Sequence, residues 1–150
     1  MTQDILVNTG EEYVVKNDLN GDSVDVGLYN DGTDGITDTD NLLAITTEPG
    51  NTNYSRPTDT VTVSDVNGAG DWGFETDSNI QFDFSDVQPG DAEDVTLDSG
   101  FFVVNFQSTE AGDGSASDNL FGTFALTQNR QPGEIDTLQI DAGEAEFTLD

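Results

Sequence analysis

Carboxylates are the one reactive group this chain carries in quantity: 31 Asp and Glu in 150 residues, against three cations, Lys16, Arg56 and Arg130, with no histidine and no cysteine. Loops rich in such oxygens are the ligands of hard cations such as Ca2+, so the spacing of the acids comes first. Asp18-Leu19-Asn20-Gly21-Asp22 opens like an EF-hand loop, with oxygen donors at its first, third and fifth positions. It then leaves that pattern, because Ser23 replaces the sixth-position glycine and Tyr29 the twelfth-position glutamate. Asp31, Asp34, Asp38 and Asp40 make a second candidate Ca2+ cluster, gathered across one loop, and Asp86, Asp91 and Asp94 a third. For each cluster a hydrated, salt-adapted surface is the competing reading, and the number of acids elsewhere favours it.

Other chemistries have fewer parts. A serine nucleophile would need Lys16 as its base, and no Gly-x-Ser-x-Gly elbow presents one. A paired-carboxylate hydrolase gains nothing from the composition, since so many acids furnish pairs at every separation. The chain is therefore read as non-enzymatic. Three cations cannot neutralise a run of phosphates, which excludes direct nucleic-acid binding, and the negative charge opposes docking on an anionic membrane. The candidate interface residues are Trp72, Tyr54, Arg56 and Arg130. Trp72, alone after Gly70-Asp71, suits the edge of a core better than a partner's pocket, and each arginine is expected in an ion pair or at a subunit contact.

The elements that must position these residues face a formal net charge of -28. At low ionic strength such self-repulsion opens a compact state, whereas molar salt shortens the Debye length to about 3 Å. The exterior is thus suited to brine. The interior is still that of a folded protein: Leu, Ile, Val and Phe number 10, 6, 12 and 9, about a quarter of the chain and above the level of about 20% that marks disorder. Asp outnumbers Glu by 22 to 9, and Asp favours turns over helix interiors. With 16 Gly and no apolar run long enough to cross a membrane, the composition points to strands and turns in one domain, 1–150. The start of the chain lacks the features of a signal peptide, so synthesis in the cytoplasm is expected.

Period-two alternation predicts strands at 23–29, where Val24, Val26 and Leu28 share a face, at 58–66 and at 80–84. Further β-type runs lie at 5–7, 13–15, 120–126, 138–141 and 145–149. Phe101 to Phe106 is the most apolar stretch, expected as a central strand covered on both faces. Asn30 to Gly35 reads as a turn, and Asp38 to Ile45 as a helical turn capped by Asp38 or Thr39, with Leu42, Leu43 and Ile45 inward. Ala111 to Asn119 reads as a surface loop. Eight to ten short strands without 3.6 periodicity specify an all-β, antiparallel β-sandwich, jelly-roll or Ig-like.

The order of segments also resembles a family. Val26-Gly27-Leu28-Tyr29-Asn30-Asp31, an Asp/Thr loop, Thr47-Glu48, Asn53-Tyr54-Ser55-Arg56, Ile80-Gln81-Phe82-Asp83-Phe84 and Gly100-Phe101-Phe102-Val103 are similar to segments of small β-rich virion proteins of tailed phages. The resemblance covers residues 24 to 149, with departures at Asn53 and Ser55 beside Tyr54 and in the loop 111–119. It implies a non-enzymatic protein that packs against other virion subunits. With the acidity, it implies a tailed virus of haloarchaea, and a capsid decoration or turret subunit, or else a tail or neck subunit. The partners would be other virion proteins, chiefly the major capsid protein, and further copies of itself as a homo-oligomer, with residues 1–17 as an attachment arm. The rival expectation is a calcium- or carbohydrate-binding β-sandwich module with Trp72, Tyr13, Tyr29 and Tyr54 as its aromatic platform.

Overall fold

The computed structural model describes residues 17, 19–38, 40–65, 68, 70–105 and 118–148. The expected strands at 5–7 and 13–15, the arm up to residue 16, Asp18 of the EF-like run, Phe106 and the loop 111–117 lie outside them. The described chain runs β1 (Ser23–Tyr29), one helical turn α1 (Asp31–Asp34), a 3-10 turn (Leu42–Ala44), β2 (Thr58–Asp65), β3 (Trp72–Thr76) and β4 (Ile80–Asp83). It continues through β5 (Leu97–Asn105), β6 (Asp118–Arg130), a second 3-10 turn (Pro132–Glu134), β7 (Thr137–Ile140) and β8 (Glu146–Thr148). Every pairing is antiparallel. Six strands lie in the order β6-β5-β1-β2-β3-β8, and β4 and β7 form a separate pair. The fold is all-β and sandwich-like, as alternation predicts.

The six-stranded sheet turns a corner at β2. Its first residues pair with β1, through Thr58–Thr60, and its last with β3, through Val61–Asp65, the device by which one strand serves two layers. The turn brings the outer strands β6 and β8 together, where the rings of Phe121 and Phe147 meet edge to face at 5.0 Å. Val24, Val26 and Leu28 of β1 point into the enclosed space with Val61, Phe74, Leu97 and Phe102, and Ile80, Phe82, Leu138 and Ile140 close it from the β4-β7 pair. Burying each such side chain contributes roughly 1.5–3 kcal/mol.

A second, smaller cluster occupies the other face of β1 and β5. Tyr29, Phe101 and Val103 are buried there beneath Ile36, Leu42 and Ile45. β5 is therefore covered on both faces, as its apolar run predicts. Flat ring packing needs two glycines: a Cβ on Gly27 would enter the Phe101 ring, and one on Gly100 the Phe124 ring.

The structure corrects three local readings. Asp31–Asp34 is a helical turn, begun by the Asn30 side chain, which accepts from Thr33 N–H. The 3-10 turn is capped by Asn41, not by Asp38 or Thr39, and Leu43 points outward at 66% exposure, because one tight turn cannot aim three successive apolar positions inward. Trp72–Thr76 is a strand where no alternation announces one, with its Gly73 pressed against the backbone of β8.

β2 parts from β1 after the Asp25–Thr58 pair, which leaves the edge of β1 without a strand. The segment 46–57 seals it. Val26 N–H donates to the Pro57 carbonyl at 2.9 Å, Leu28 N–H to the Tyr54 hydroxyl at 3.0 Å and Asn30 N–H to Thr47 Oγ1 at 2.8 Å. Alternate N–H groups on one side of the strand thus find partners without a ladder.

Candidate functional site

The acidic loop uses its carboxylates on itself. Asp34 accepts from the amides of Thr46 and Thr47, at 3.0 and 3.1 Å, and from their hydroxyls, at 2.5 and 2.7 Å. Partial burial pushes its pKa up, and these donors, Thr46 hydroxyl foremost, bring it below the ordinary carboxylate value. A carboxylate accepts at about four lone-pair sites, so that of Asp34 is filled. Asp31 accepts from the Tyr29 hydroxyl and Ile36 N–H, and Asp40 from the amide and hydroxyl of Thr37. Asp38 is exposed and shares with Asp40 the rim of a trough of about 340 Å3 floored by Leu120, Phe121 and Phe147. The four acids do not converge on a point, and among the described residues no group of three or more carboxylates is placed to hold a metal.

Several other acids follow the same rule. Asp86 accepts from Asn51 Nδ2 and Asn53 N–H, Asp91 from Gln88 N–H, and Asp94 from the amides of Gly90 and Gly133 and from Gln131. Asp77 takes the hydroxyls of Thr60 and Thr62, one on each oxygen, and Asp83 takes the hydroxyl and amide of Ser85. The short Asp side chain reaches nearby turn amides, which Glu overshoots. The excess of Asp is thereby explained: much of the acidic surface is the capping system of the fold. What these arrangements do chemically is hold loops.

The half-buried polar group centres on Glu48. Arg56 donates to it twice, Nε to Oε1 and Nη2 to Oε2, both at 2.7 Å, and the Tyr54 hydroxyl donates to Oε1 at 3.0 Å. The bidentate contact holds the guanidinium above its ordinary pKa. Arg56 also covers the Phe101 ring, 5.1 Å from its centroid, a cation–π contact that adds to the ion pair. Tyr54 stacks on Phe82 and Phe84 at 5.8 and 6.0 Å, so it ties the β4-β7 pair to the edge of β1. Burial, with Glu48 next, drives its phenol far above the ordinary range.

Of the four candidate interface residues, Tyr54 and Arg56 thus have partners within the chain, and Arg56 sits in the ion pair expected of it. Trp72 is half-buried against the edge of the main core. Arg130 differs. It ends β6 opposite Leu97, is exposed, and makes no ion pair among the described residues. Two residues of weight escaped the sequence: Glu48, whose signal is its placement eight positions before a rare arginine, and Asp98, which caps α1 through the amides of Asp31 and Gly32. Nothing local announces Asp98, which lies 67 residues from Asp31.

The architecture defines an all-β, sandwich-like protein whose acidic side chains serve as caps. Compared with known proteins, the chain matches no family, no curated protein and no solved structure.

Proposed function

We propose that this chain is a structural protein of the virion of a haloarchaeal tailed virus, a decoration or turret subunit on the outside of the head that works by binding other virion proteins. A tail or neck subunit is the neighbouring form of the same reading. The observation that carries it is the charge of -28 borne on an apolar interior, joined to the resemblance of its segments to small virion proteins. Such a surface stays hydrated and dispersed in brine, and contact through limited apolar or strand surfaces is what remains for it to do. The first partner is the major capsid protein.

The test is incorporation. Virus particles purified in molar sodium chloride carry the chain at a fixed copy number per particle, and a protein lacking residues 1–17 is incorporated less. Particles that form and purify without the chain overturn the reading, as does a gene neighbourhood with no portal, protease or capsid gene.

A further inference from the structure

β3 with β8 and β4 with β7 are two stretches of one antiparallel ribbon, bent where Gly143 N–H donates to the Thr76 carbonyl and Ala142 N–H to Asn79 Oδ1. Its β8 end meets β6, Phe147 against Phe121. Its β7 end stands off. Between β7 and the second half of β6 lies a trough of about 250 Å3, and among the described residues the backbone of Leu138, Gln139 and Ile140 bonds to β4 alone. A two-stranded sheet is marginal by itself. β6 offers it no flat edge, because Leu126 to Asn129 bulge, four residues opposite the single Asp98.

The lining of the trough says what fits. Its floor is apolar, with Phe124, Leu138 and Ile140 buried. Its charges lie at opposite ends: the turn 132–134 joins β6 to β7, so Arg130 stands at the turn end, while Asp141 and Glu144 follow β7 at the other. From Thr137 to Asp141 is four strand steps, about 13 Å. A strand lying along β7 therefore needs an acid, alternate apolar residues for the floor, and a cation four positions after the acid. Glu12-Tyr13-Val14-Val15-Lys16 has that order. The other two cations are already placed, Arg56 on Glu48 and Arg130 in the trough itself.

We infer that residues 12–16, which lie outside the described residues, are seated in this trough as a third strand beside β7, with Tyr13 and Val15 on the floor, Lys16 at Asp141 and Glu144, and Glu12 at Arg130. Contact pairs over an apolar floor are screened less by salt than distant charges. The occupant is the chain's own segment, because of where the chain enters the fold. Gly21 N–H donates to the Val61 carbonyl, Val61 pairs with Thr76, and the Thr76 carbonyl accepts from Gly143. Three strand spacings, about 14 Å, separate Gly21 from the turn that carries Glu144. The five residues back to Lys16 reach about 17 Å when extended. The tether also runs the right way: Lys16, nearest the fold, meets the acids first, and Glu12 lies further along, towards Arg130. A tethered segment acts at millimolar effective concentration. The inference deepens the reading of residues 1–17 as an attachment arm and rests on that reading for its role: the arm is stowed in the free subunit and released on assembly.

The chain has no cysteine, so an engineered disulfide reads the contact directly. Val14→Cys with Gln139→Cys, outward neighbours in this pairing, oxidises within a single chain of the full protein in molar sodium chloride, as mass spectrometry shows. Val14→Cys with Asn53→Cys, on the segment 46–57, does not. Lys16→Glu sets like charges against Asp141 and Glu144 and lowers the yield of the first bridge at least about tenfold, whereas Lys16→Arg keeps it. Removing residues 1–16 speeds hydrogen exchange of the Leu138 to Ile140 amides at least about tenfold. Circular dichroism and melting confirm that each variant is folded. A bridge that forms as readily to Asn53→Cys, a bridge found only between two chains, or exchange unchanged by the removal overturns the inference. An internal bridge in a chain that never enters virus particles refutes the virion reading alone; a chain that enters particles yet forms no bridge refutes the stowed arm alone.

Discussion

The two arginines of the described structure sit in opposite circumstances. Arg56 is bidentate to Glu48, lies over the Phe101 ring and is 28% exposed. Arg130 stands at the exposed end of β6 with no ion pair among the described residues. Around Arg56 an otherwise bare strand edge is closed by Tyr54, Thr47 and Pro57; Arg130 lies beside a trough that it lines with Asp141 and Glu144. In a chain this poor in cations, one is committed to folding and the other is left on the surface. The difference teaches that a scarce charge is informative only once its partners are known.

Dilution is the largest perturbation of that comparison. At an ionic strength of about 0.01 M the Debye length reaches about 30 Å, and cooperative loss of the β dichroism is expected, restored by sodium chloride. Hydrogen exchange followed through the transition separates the regions: amides under the acid-dense loops 30–47 and 83–94 open before those of β5. Unchanged dichroism and melting at low salt would contradict the salt-adapted exterior.

Phe101→Ala removes the ring beneath Arg56 and empties the smaller cluster, at a cost of about 3–5 kcal/mol, read as a fall in denaturation midpoint at constant slope. Arg56→Gln leaves Glu48 half-buried with the Tyr54 hydroxyl alone and costs about 1.5–3 kcal/mol. Glu48→Gln added to it recovers part of that loss, and the coupling from the double-mutant cycle measures the pair. A double-variant loss equal to the sum of the two single losses, with no coupling, would show the pair to be idle.

Acid acts on the caps. Asp34, Asp77, Asp83, Asp86 and Asp94 all have folded pKa values below the ordinary 3.8. Depressed carboxylates bind protons more tightly in the unfolded chain, so the stability they contribute is full above about pH 4 and is lost as pH falls through their folded values. Stability in molar salt is expected to be flat from neutral pH to about pH 5 and to drop below about pH 4. Thr60→Ala with Thr62→Ala, which removes the donors to Asp77, makes that drop shallower. The smallest effect is that of Arg130→Gln on the stability of one folded subunit, within about 0.5 kcal/mol, measured in dilute protein. A larger loss would mean that Arg130 is committed to the fold as Arg56 is.

Much of this was legible along the chain. Ser23–Tyr29 is a strand at the residues its alternation marks, and Phe101, Phe102 and Val103 are buried on both faces as their apolar run requires. Each pattern is local, because a strand's period and the burial of its faces are written in consecutive side chains. β3 was not legible: Gly73 is there to let β8 approach, and that need arises 74 residues away at Phe147. The acidic loop misled for a related reason. Asp31, Asp34, Asp38 and Asp40 have ligand spacing in one dimension, while in three the oxygens of Asp31, Asp34 and Asp40 turn to separate amides and hydroxyls and Asp38 lies exposed.

By itself, then, the sequence determined the class of the fold, the excess of negative charge and the strands whose faces alternate, all properties of composition and short-range period. Only the tertiary structure decided the corner at β2, the unequal division into six strands and two, the cover over the edge of β1, and which arginine is held by a bidentate carboxylate. Those depend on contacts between residues far apart in the chain, where partner and distance are set by how the layers close on one another.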